Sequence, residues 1–338
     1  MTTADHLVGP ASQAVLLAAQ VCRTVQRQLD SVRALIKDDR SPVTVADYAS
    51  QAVVCATLRE HLGPELHGSA FVAEEDATFL RDPSRAPYLE ATLEAARTVL
   101  PSLTAEALLD LVDQGAGNPD HAPFWTLDPV DGTKGFLRGQ QYAIALALVE
   151  ARAPVLGVLA CPNLPVSAAA PLDSADPDGS LYVAVKHAGL EERLCTAGSA
   201  ATRQLEPTLP PADRSILACA SVEKAHASVS DTDRVLRHLG ASLDVLRVDS
   251  SAKYALVARG QADAYLRLPT RADYVERIWD HAAGTVVAEE AGCVVSDIRG
   301  QQLDFGHGRG LEKNRGVVVA QRRAHERIIQ AIEQLGIE

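Results

Sequence analysis

Two aspartates three positions apart, Asp128 and Asp131, lie in a segment with the sequence D-P-V-D-G-T. With a rigid proline between them, their carboxylates can point into one space and share a hard cation such as Mg²⁺, which prefers carboxylates, retained waters and substrate phosphate. Gly132 permits a tight turn, and Thr133 is placed to open a helix whose free N–H groups receive a phosphate. An Asp-Gly pair alone is also typical of a turn that caps a helix. The whole segment favours a site for a cation and a phosphate.

Three other acidic positions are candidates for the same site. Each has a structural alternative when it is taken alone. The pair Glu74–Glu75 can be a solvated strand end, Asp280 in W-D-H-A-A-G can cap a helix, and Asp47 can complete a capping box with Thr44. Four separated acidic sites around one phosphate-binding turn resemble a multi-metal site for phosphoryl transfer.

Hydrophobic periodicity predicts the elements that must position these residues. A long amphipathic helix is expected from Pro10 to Lys37, and a second one from a Thr44 cap to about His61. Strands Phe71–Ala73 and Phe124–Leu127 would deliver the acidic pair and the D-P-V-D-G-T turn. Further helices are predicted at Ala86–Leu100, Thr104–Val112, Asp231–Leu239, Ser251–Arg259 and Asp280–Ala291, with a last one from Arg322. Further strands are predicted at Tyr142–Val149, Pro154–Cys161, Leu181–Val185, Ile216–Ala220, Leu243–Val248 and Val317–Ala320, and a loop at Asn163–Gly179.

Composition limits the classes of function. The 338 residues carry 32 Lys and Arg against 44 Asp and Glu, a net charge of −12, which argues against binding nucleic acid through bulk charge. A hydrophobic content of 47% argues against wholesale disorder, and no apolar run is long enough to predict a membrane partner. The six cysteines form no C-x-x-C pair, so we expect buried, reduced thiols in a cytoplasmic protein. The oligomeric state is left open.

These motifs, in this order and along nearly the whole chain, resemble those of the lithium-sensitive, Mg²⁺-dependent phosphatases of the inositol monophosphatase superfamily. Within it, the chain most resembles the 3′(2′),5′-bisphosphate nucleotidases. That resemblance rests on S-P-V-T-V-A-D at Ser41–Asp47, G-T-K-G-F-L-R-G at Gly132–Gly139, V-E-K-A-H at Val222–His226, D-S-S-A-K-Y at Asp249–Tyr254 and Y-L-R-L-P at Tyr265–Pro269. It implies a layered αβαβα sugar-phosphatase-like fold, mixed α/β (α+β) in class. Residues 1–162 would form an N-terminal α+β subdomain with most metal ligands, and residues 163–338 a C-terminal α/β subdomain that completes the site and binds the nucleotide.

Carried over residue by residue, the resemblance implies two or three Mg²⁺ ions per site. Their ligands would be Glu74, Asp128, the Val130 carbonyl, Asp131 and Asp280. Thr133, oriented by Asp47, would activate the attacking water. The substrate would be held by Gly132, Thr133, His226, Ser250, Lys253, Arg267 and Asp280, with His226 at the nucleoside and Ser250, Lys253 and Arg267 at the second phosphate.

The implied reaction is hydrolysis of the 3′-phosphate of adenosine 3′,5′-bisphosphate to AMP and phosphate, by in-line attack of a metal-activated water. The partner would thus be a small phosphorylated nucleotide, and 3′-phosphoadenylyl sulfate would be a second substrate that ties the protein to sulfur assimilation. Two alternatives stay open: a phosphatase of inositol phosphates with the same metal site, and a non-catalytic nucleotide sensor. Ala73, Asp76 and Ala225 depart from the family pattern, and that pattern suggests no role for the segment Pro165–Gly179.

Overall fold

A computed structural model of the protein describes residues 5–30, 41–62, 70–119, 123–196, 202–205, 215–222, 230–241, 245–269, 271 and 273–338. These residues form two β-sheets and several helices, stacked in the order helix, sheet, helix, sheet, helix. The mixed α/β fold predicted from the sequence is confirmed. None of the helices in the described part of the chain combines the length and the apolar character that a bilayer crossing requires.

The first sheet holds seven of the described strands, which lie side by side in chain order. They are β1 (Phe71–Ala73), β2 (Phe124–Asp131), β3 (Ala143–Glu150), β4 (Ala153–Cys161), β5 (Ser180–Val185), β6 (Gly189–Leu194) and β7 (Thr202–Gln204). Strand β1 runs parallel to β2, and the other neighbouring pairs are antiparallel. In β3, large side chains alternate with alanines from Ile144 to Leu148. The large side chains pack into one core and the alanines into another, which shows that this strand is buried on both faces.

Helices cover one face of this sheet. They are α1 (Val8–Arg27), α2 (Ser41–His61), α3 (Thr78–Arg81), α4 (Ala86–Arg97) and α5 (Ala105–Asp113), while the short helix α6 (Thr133–Leu137) follows β2. The long helices α1 and α2 pack on each other and on the central strands. The buried face of α1 consists largely of alanine, valine and cysteine, which lets the helices approach the sheet closely.

The second sheet is mixed and smaller. Its strands are β8 (Ala218–Ala220), β9 (Leu246–Arg247), β10 (Ala264–Arg267), β11 (Cys293–Ser296) and β12 (Val317–Gln321), in the spatial order β11-β12-β10-β8-β9. The remaining helices are α7 (Asp231–His238), α8 (Ala252–Ala258), α9 (Ala282–Glu290) and α10 (Arg322–Gln334). Helices α8 and α9 lie between the two sheets, whereas α7 and α10 form the outer layer.

Most predicted elements are present, and the differences have local causes. The helix predicted from Pro10 is α1, while the segment 31–40 lies outside the described residues. The prediction that Thr44 caps the second helix is wrong: α2 begins at Ser41, since Pro42 fits a first helical turn, where no N–H donor is needed. Strands β6, β7 and β11 were not predicted. The cysteines are buried and unpaired, as expected.

Sheet membership changes later in the chain than position 162. The segment 163–179 contains no helix or strand, as expected for a loop, and it leads into β5 of the first sheet. Strands β6 and β7 also belong to that sheet, and β8 is the first described strand of the second. Residues on both sides of position 162 therefore share one sheet, while the division into two subdomains stays a prediction.

Candidate active site

The acidic loop after β1 is fixed by one buried amide. The Gln51 side chain, on α2, donates to the Glu75 carbonyl at 2.7 Å and to the Val112 carbonyl at 2.8 Å, and its Oε1 accepts from the Glu75 N–H at 3.2 Å. Glu74 is fixed in turn, because its N–H donates to the Leu127 carbonyl of β2 at 3.3 Å. The loop therefore runs beside the strand that carries the two aspartates.

At the end of β2, the pairing register with β3 shifts between Asp128 and Asp131. Such an irregularity re-aims side chains next to a site, and the Ser50 hydroxyl stabilises it by donating to the Pro129 carbonyl at 2.9 Å. Gly132 follows with φ at +90°, and a Cβ there would lie 2.8 Å from the Ser250 Cβ. Only glycine fits this turn, which places Thr133, exposed, at the start of α6.

The carboxylates of the site lie close enough to repel one another. Burial raises the pKa of Asp128 well above its ordinary range, and the charges of Glu74, Asp131 and Asp280 raise it further. Burial also raises the pKa of Glu74 to about 7, with Glu75 and Asp131 adding to it and a hydrogen bond with Asp128 opposing it. For Asp280, burial is again the largest cause of a pKa raised to about 7.

One buried oxygen has no protein partner. The Asp128 Oδ1 atom makes no hydrogen bond with any described residue, and the Asp128 residue is only 3% exposed. An unsatisfied buried carboxylate oxygen is costly unless a ligand occupies the space beside it. Together with the raised pKa values, this donor set fits a hard divalent cation, which favours ionised carboxylates.

Asp47 lies near the acidic loop. Burial raises its pKa well above the ordinary range, and Glu75 and Glu74 contribute through their charges. No hydrogen bond joins Asp47 to Thr133 among the contacts of the described residues, so their predicted partnership stays a prediction. The alternative that Asp47 serves a capping box with Thr44 is excluded, because Thr44 lies inside α2.

A second group around Asp280 also has metal-ligating chemistry. Among the described residues, Glu276, Asp280 and His281 have ligand atoms within 4.8 Å of one another, whereas no three of Glu74, Asp128, Asp131 and Asp280 meet that limit. However, His281 is engaged elsewhere: Nδ1 lies 2.8 Å from the Tyr254 hydroxyl and Nε2 lies 3.3 Å from Glu276 Oε2. Glu276 also accepts from Arg267 Nε at 3.0 Å. We therefore interpret Glu276, which is held by His281, as a residue that orients Arg267, whose Nη2 lies 3.9 Å from Asp280 Oδ2.

The two cations predicted for the second phosphate differ in environment. Lys253 is 3% exposed, with Nζ 3.4 Å from the Val248 carbonyl and 5.2 Å from the Tyr265 ring centroid, so it is not a surface lysine. Burial lowers its pKa. Arg267 is half-buried: Tyr274 accepts from its Nη2 at 3.3 Å, while Nη1 makes no hydrogen bond with a described residue. Arg267 thus keeps donors available for an anion.

The chain matches the inositol monophosphatase family over residues 3–336. The protein belongs to that family. It is 40% identical to a protein named 3′(2′),5′-bisphosphate nucleotidase from Emericella nidulans, over 88% of this chain and 90% of the relative. It is 37% identical to a protein of the same name from Schizosaccharomyces pombe, over 94% of this chain and 91% of the relative. The structure of CysQ from Bacteroides thetaiotaomicron shares the fold, with a TM-score of 0.62 and 22% identity over 94% of this chain and 97% of that one.

The inositol monophosphatase family is generally dependent on Mg²⁺.

One contact that holds the D-P-V-D-G-T turn of this chain is not indicated by any local sequence pattern. Asp131 Oδ2 accepts hydrogen bonds from both the N–H and the hydroxyl of Ser251. Ser251 follows Ser250, which has φ at +69° and lies against Gly132. The sequence predicts that Ser250, in the D-S-S segment, contacts the second phosphate. It does not predict the contact between Ser251 and Asp131, because the two residues are 120 positions apart.

Of the remaining predicted site residues, two lie in or directly after β2, and one lies outside the described residues. Val130 is buried in β2, inside the register shift, and Gly132 forms the turn. His226, predicted to contact the nucleoside, lies outside the described residues. The structure thus brings the predicted acidic residues, the glycine turn, Ser250, Lys253 and Arg267 close together, while their roles stay predictions.

Proposed function

We propose that this protein is a Mg²⁺-dependent 3′(2′),5′-bisphosphate nucleotidase that removes the 3′-phosphate of adenosine 3′,5′-bisphosphate, giving AMP and phosphate. The observation that carries the proposal is Asp128: a buried carboxylate with an unpartnered oxygen, acted on by the charges of Glu74, Asp131 and Asp280. Relatives that bear the nucleotidase name and cover most of the chain support the substrate class.

Two or three Mg²⁺ ions would be held by Glu74, Asp128, the Val130 carbonyl, Asp131 and Asp280. When bound, such ions polarise phosphoryl oxygens and lower the pKa of a coordinated water. The chain supplies a preorganised set of acidic oxygens, because Gln51 fixes the acidic loop and Ser251 fixes Asp131.

The chain's own groups would orient the reacting atoms. The N–H groups of Gly132 and Thr133 would hold the scissile phosphate, since Gly132 forms the N-cap of α6 and the first N–H groups of a helix have no partner within it. Thr133 and Asp47 would orient the attacking water. Burial raises the pKa of Asp47 well above its ordinary range, which makes its carboxylate a stronger base when it is ionised.

The second phosphate would lie on the side of the second sheet, against Ser250, Lys253 and Arg267, with His226 at the nucleoside. Arg267 is oriented by Glu276 and by the Tyr274 hydroxyl, which leaves Nη1 to donate to a phosphate oxygen. A planar guanidinium with several donors matches phosphate geometry well. The positive charges of Lys253 and Arg267 offset the negative charge of the neighbouring carboxylates.

The decisive experiment is a phosphate-release assay with Mg²⁺ on a panel of substrates. The panel holds adenosine 3′,5′-bisphosphate, its 2′,5′ isomer, 3′-phosphoadenylyl sulfate and inositol 1-phosphate. The proposal requires rapid release from the bisphosphates and its loss in EDTA. Preference for inositol 1-phosphate would favour an inositol phosphate phosphatase, and tight nucleotide binding without single-turnover release would favour a sensor.

A further inference from the structure

Glu74 and Asp280 reach the site from different parts of the fold. Glu74 follows β1, an edge strand of the first sheet, whereas Asp280 precedes α9, between the sheets. Both nevertheless lie against the end of β2: the Glu74 N–H donates to the Leu127 carbonyl at 3.3 Å, and the Ser251 hydroxyl donates both to Asp131 and to the Asp280 carbonyl. Some contact must therefore hold the edge of the first sheet against the segment that carries Asp280.

The Arg309 side chain makes that contact. Its Nη1 donates to the Gly115 carbonyl at 2.9 Å, and its Nη2 donates to the carbonyl of Ala73, the residue before Glu74. Its guanidinium carbon lies 4.8 Å from the ring centroid of Trp279, the residue before Asp280. One half-buried side chain thus touches the immediate neighbours of both acidic residues.

The backbone on both sides of this contact is also fixed. The Ile278 N–H donates to the Arg309 carbonyl at 3.3 Å, and the Leu311 N–H donates to the Glu276 carbonyl at 2.8 Å. On the other side, the Gly115 carbonyl also accepts from the Ala73 N–H at 2.9 Å. The arginine therefore joins two ordered segments.

We propose that Arg309 is a positioning residue that sets the separation of Glu74 and Asp280, and thereby the affinity of the site for divalent cations. The inference rests on the proposed metal-dependent function. A guanidinium suits this task because its rigid fork of donors can hold two carbonyls and stack on an aromatic ring at the same time. Groups that orient metal ligands typically contribute about 10- to 100-fold to metal affinity.

Arg277 offers a matched control. Its guanidinium carbon also lies near the Trp279 ring, 5.8 Å from the centroid, and its charge also acts on Glu74. Unlike Arg309, it donates no side-chain hydrogen bond to a described residue. Replacing either arginine by glutamine removes one positive charge near Glu74, but only the Arg309 change removes the bridge to Ala73 and Gly115.

The test compares Arg309→Gln, Arg309→Lys and Arg277→Gln with the wild-type protein. Mn²⁺ binding without nucleotide is measured by electron paramagnetic resonance of the free ion, and the half-saturating Mg²⁺ concentration is measured by phosphate release at saturating nucleotide. We expect Arg309→Gln to weaken Mn²⁺ binding and raise the Mg²⁺ requirement by about tenfold, with the KM for nucleotide changed by less than about twofold. The Mn²⁺ affinity of Arg309→Lys should lie between those of Arg309→Gln and the wild type, because lysine has one nitrogen for two carbonyls. The Mn²⁺ affinity of Arg277→Gln should stay within about twofold of the wild-type value.

Equal shifts in Arg309→Gln and Arg277→Gln would overturn the inference, because charge alone would then explain both. Unchanged Mn²⁺ affinity in the Arg309 variants would also overturn it. Should Arg309→Gln fail to fold, Arg309→Lys decides, with circular dichroism as the check on folding. Wild-type protein that binds no Mn²⁺ would instead overturn the proposed function, and this inference with it.

Discussion

At the scale of single residues, Arg267 provides a direct test of substrate choice. Replacing it with alanine should lower kcat/KM for adenosine 3′,5′-bisphosphate by about 10- to 100-fold, because a charge-assisted hydrogen bond to the second phosphate is lost. Hydrolysis of 3′-AMP, which has no second phosphate, should change far less. Steady-state kinetics on both substrates measure the difference. Arg234→Ala, which removes an exposed arginine paired with Asp231 on the outer helix α7, is the matched control. Equal losses on both substrates would contradict a role in specificity.

Asp131 tests the predicted metal ligands. We expect Asp131→Asn to reduce phosphate release by about a thousandfold or more, because an amide is a poor ligand for a hard cation. The Asp131→Asn protein should still fold, because the Asp131 side chain is not part of an apolar core. Ser251→Ala, which removes one donor to Asp131 but no carboxylate, should cost only about tenfold. Circular dichroism and phosphate release are the measurements, and an active Asp131→Asn enzyme would exclude Asp131 as a ligand.

The acidic residues of the candidate site could be proposed from the sequence because each belongs to a short local motif, such as the D-P-V-D-G-T turn, and their roles stay predictions. The residues that hold them could not. Gln51 and Ser251 contact the site through segments that are far apart in the sequence, and neither has a local pattern that indicates such a role. The burial of Lys253 escaped prediction for the same reason: it depends on how α8 packs against Tyr265.

At the scale of elements, strands with long apolar patterns were predictable, whereas the partly polar β6, the exposed edge strand β7 and the four-residue edge strand β11 were not. Strands β3 and β4 are almost entirely buried, so their sequences are continuously apolar. Strand β6, with the sequence G-L-E-E-R-L, is only partly buried, and β7 is an exposed three-residue edge strand. The side chains of such strands resemble those of loops, and only pairing with a neighbouring strand makes them part of the sheet.

The close packing of α9 leads to a prediction about helical glycines. A Cβ at Gly284 would lie 2.4 to 2.7 Å from ring carbons of Tyr254 on α8, so Gly284→Ala should destabilise the protein by about 1–3 kcal/mol through overpacking. The same change at Gly9, in α1, meets no atom within 4 Å and should be neutral or stabilise by up to about 1 kcal/mol. Chemical denaturation of both variants measures the two free energies of unfolding. Similar values for the two would mean that helix propensity, and not the contact with Tyr254, decides the outcome.

At the scale of the whole molecule, the site makes folding depend on pH. Glu74 and Asp280 have pKa values raised from 4.5 and 3.8 to about 7, with burial as the largest cause. The folded protein therefore binds more protons than the unfolded chain at intermediate pH, and its stability must fall as pH rises. His325 acts in the opposite direction, since burial lowers its pKa and its neutral form is favoured in the fold. Any test must separate the two contributions.

We therefore expect the Tm of the protein in EDTA to fall by about 3 °C or more between pH 5 and pH 7. The double variant Glu74→Gln, Asp280→Asn should have a clearly flatter profile, because it keeps His325 and loses the two titrating carboxyls. Mg²⁺ should raise the Tm of the wild-type protein most at high pH, where the carboxylates are ionised and a cation that binds only the folded state stabilises it. Scanning calorimetry measures the Tm of the wild type and of the double variant across this pH range, with and without Mg²⁺. Identical pH profiles for the wild type and the double variant would show that these carboxyls do not have raised pKa values in the folded protein.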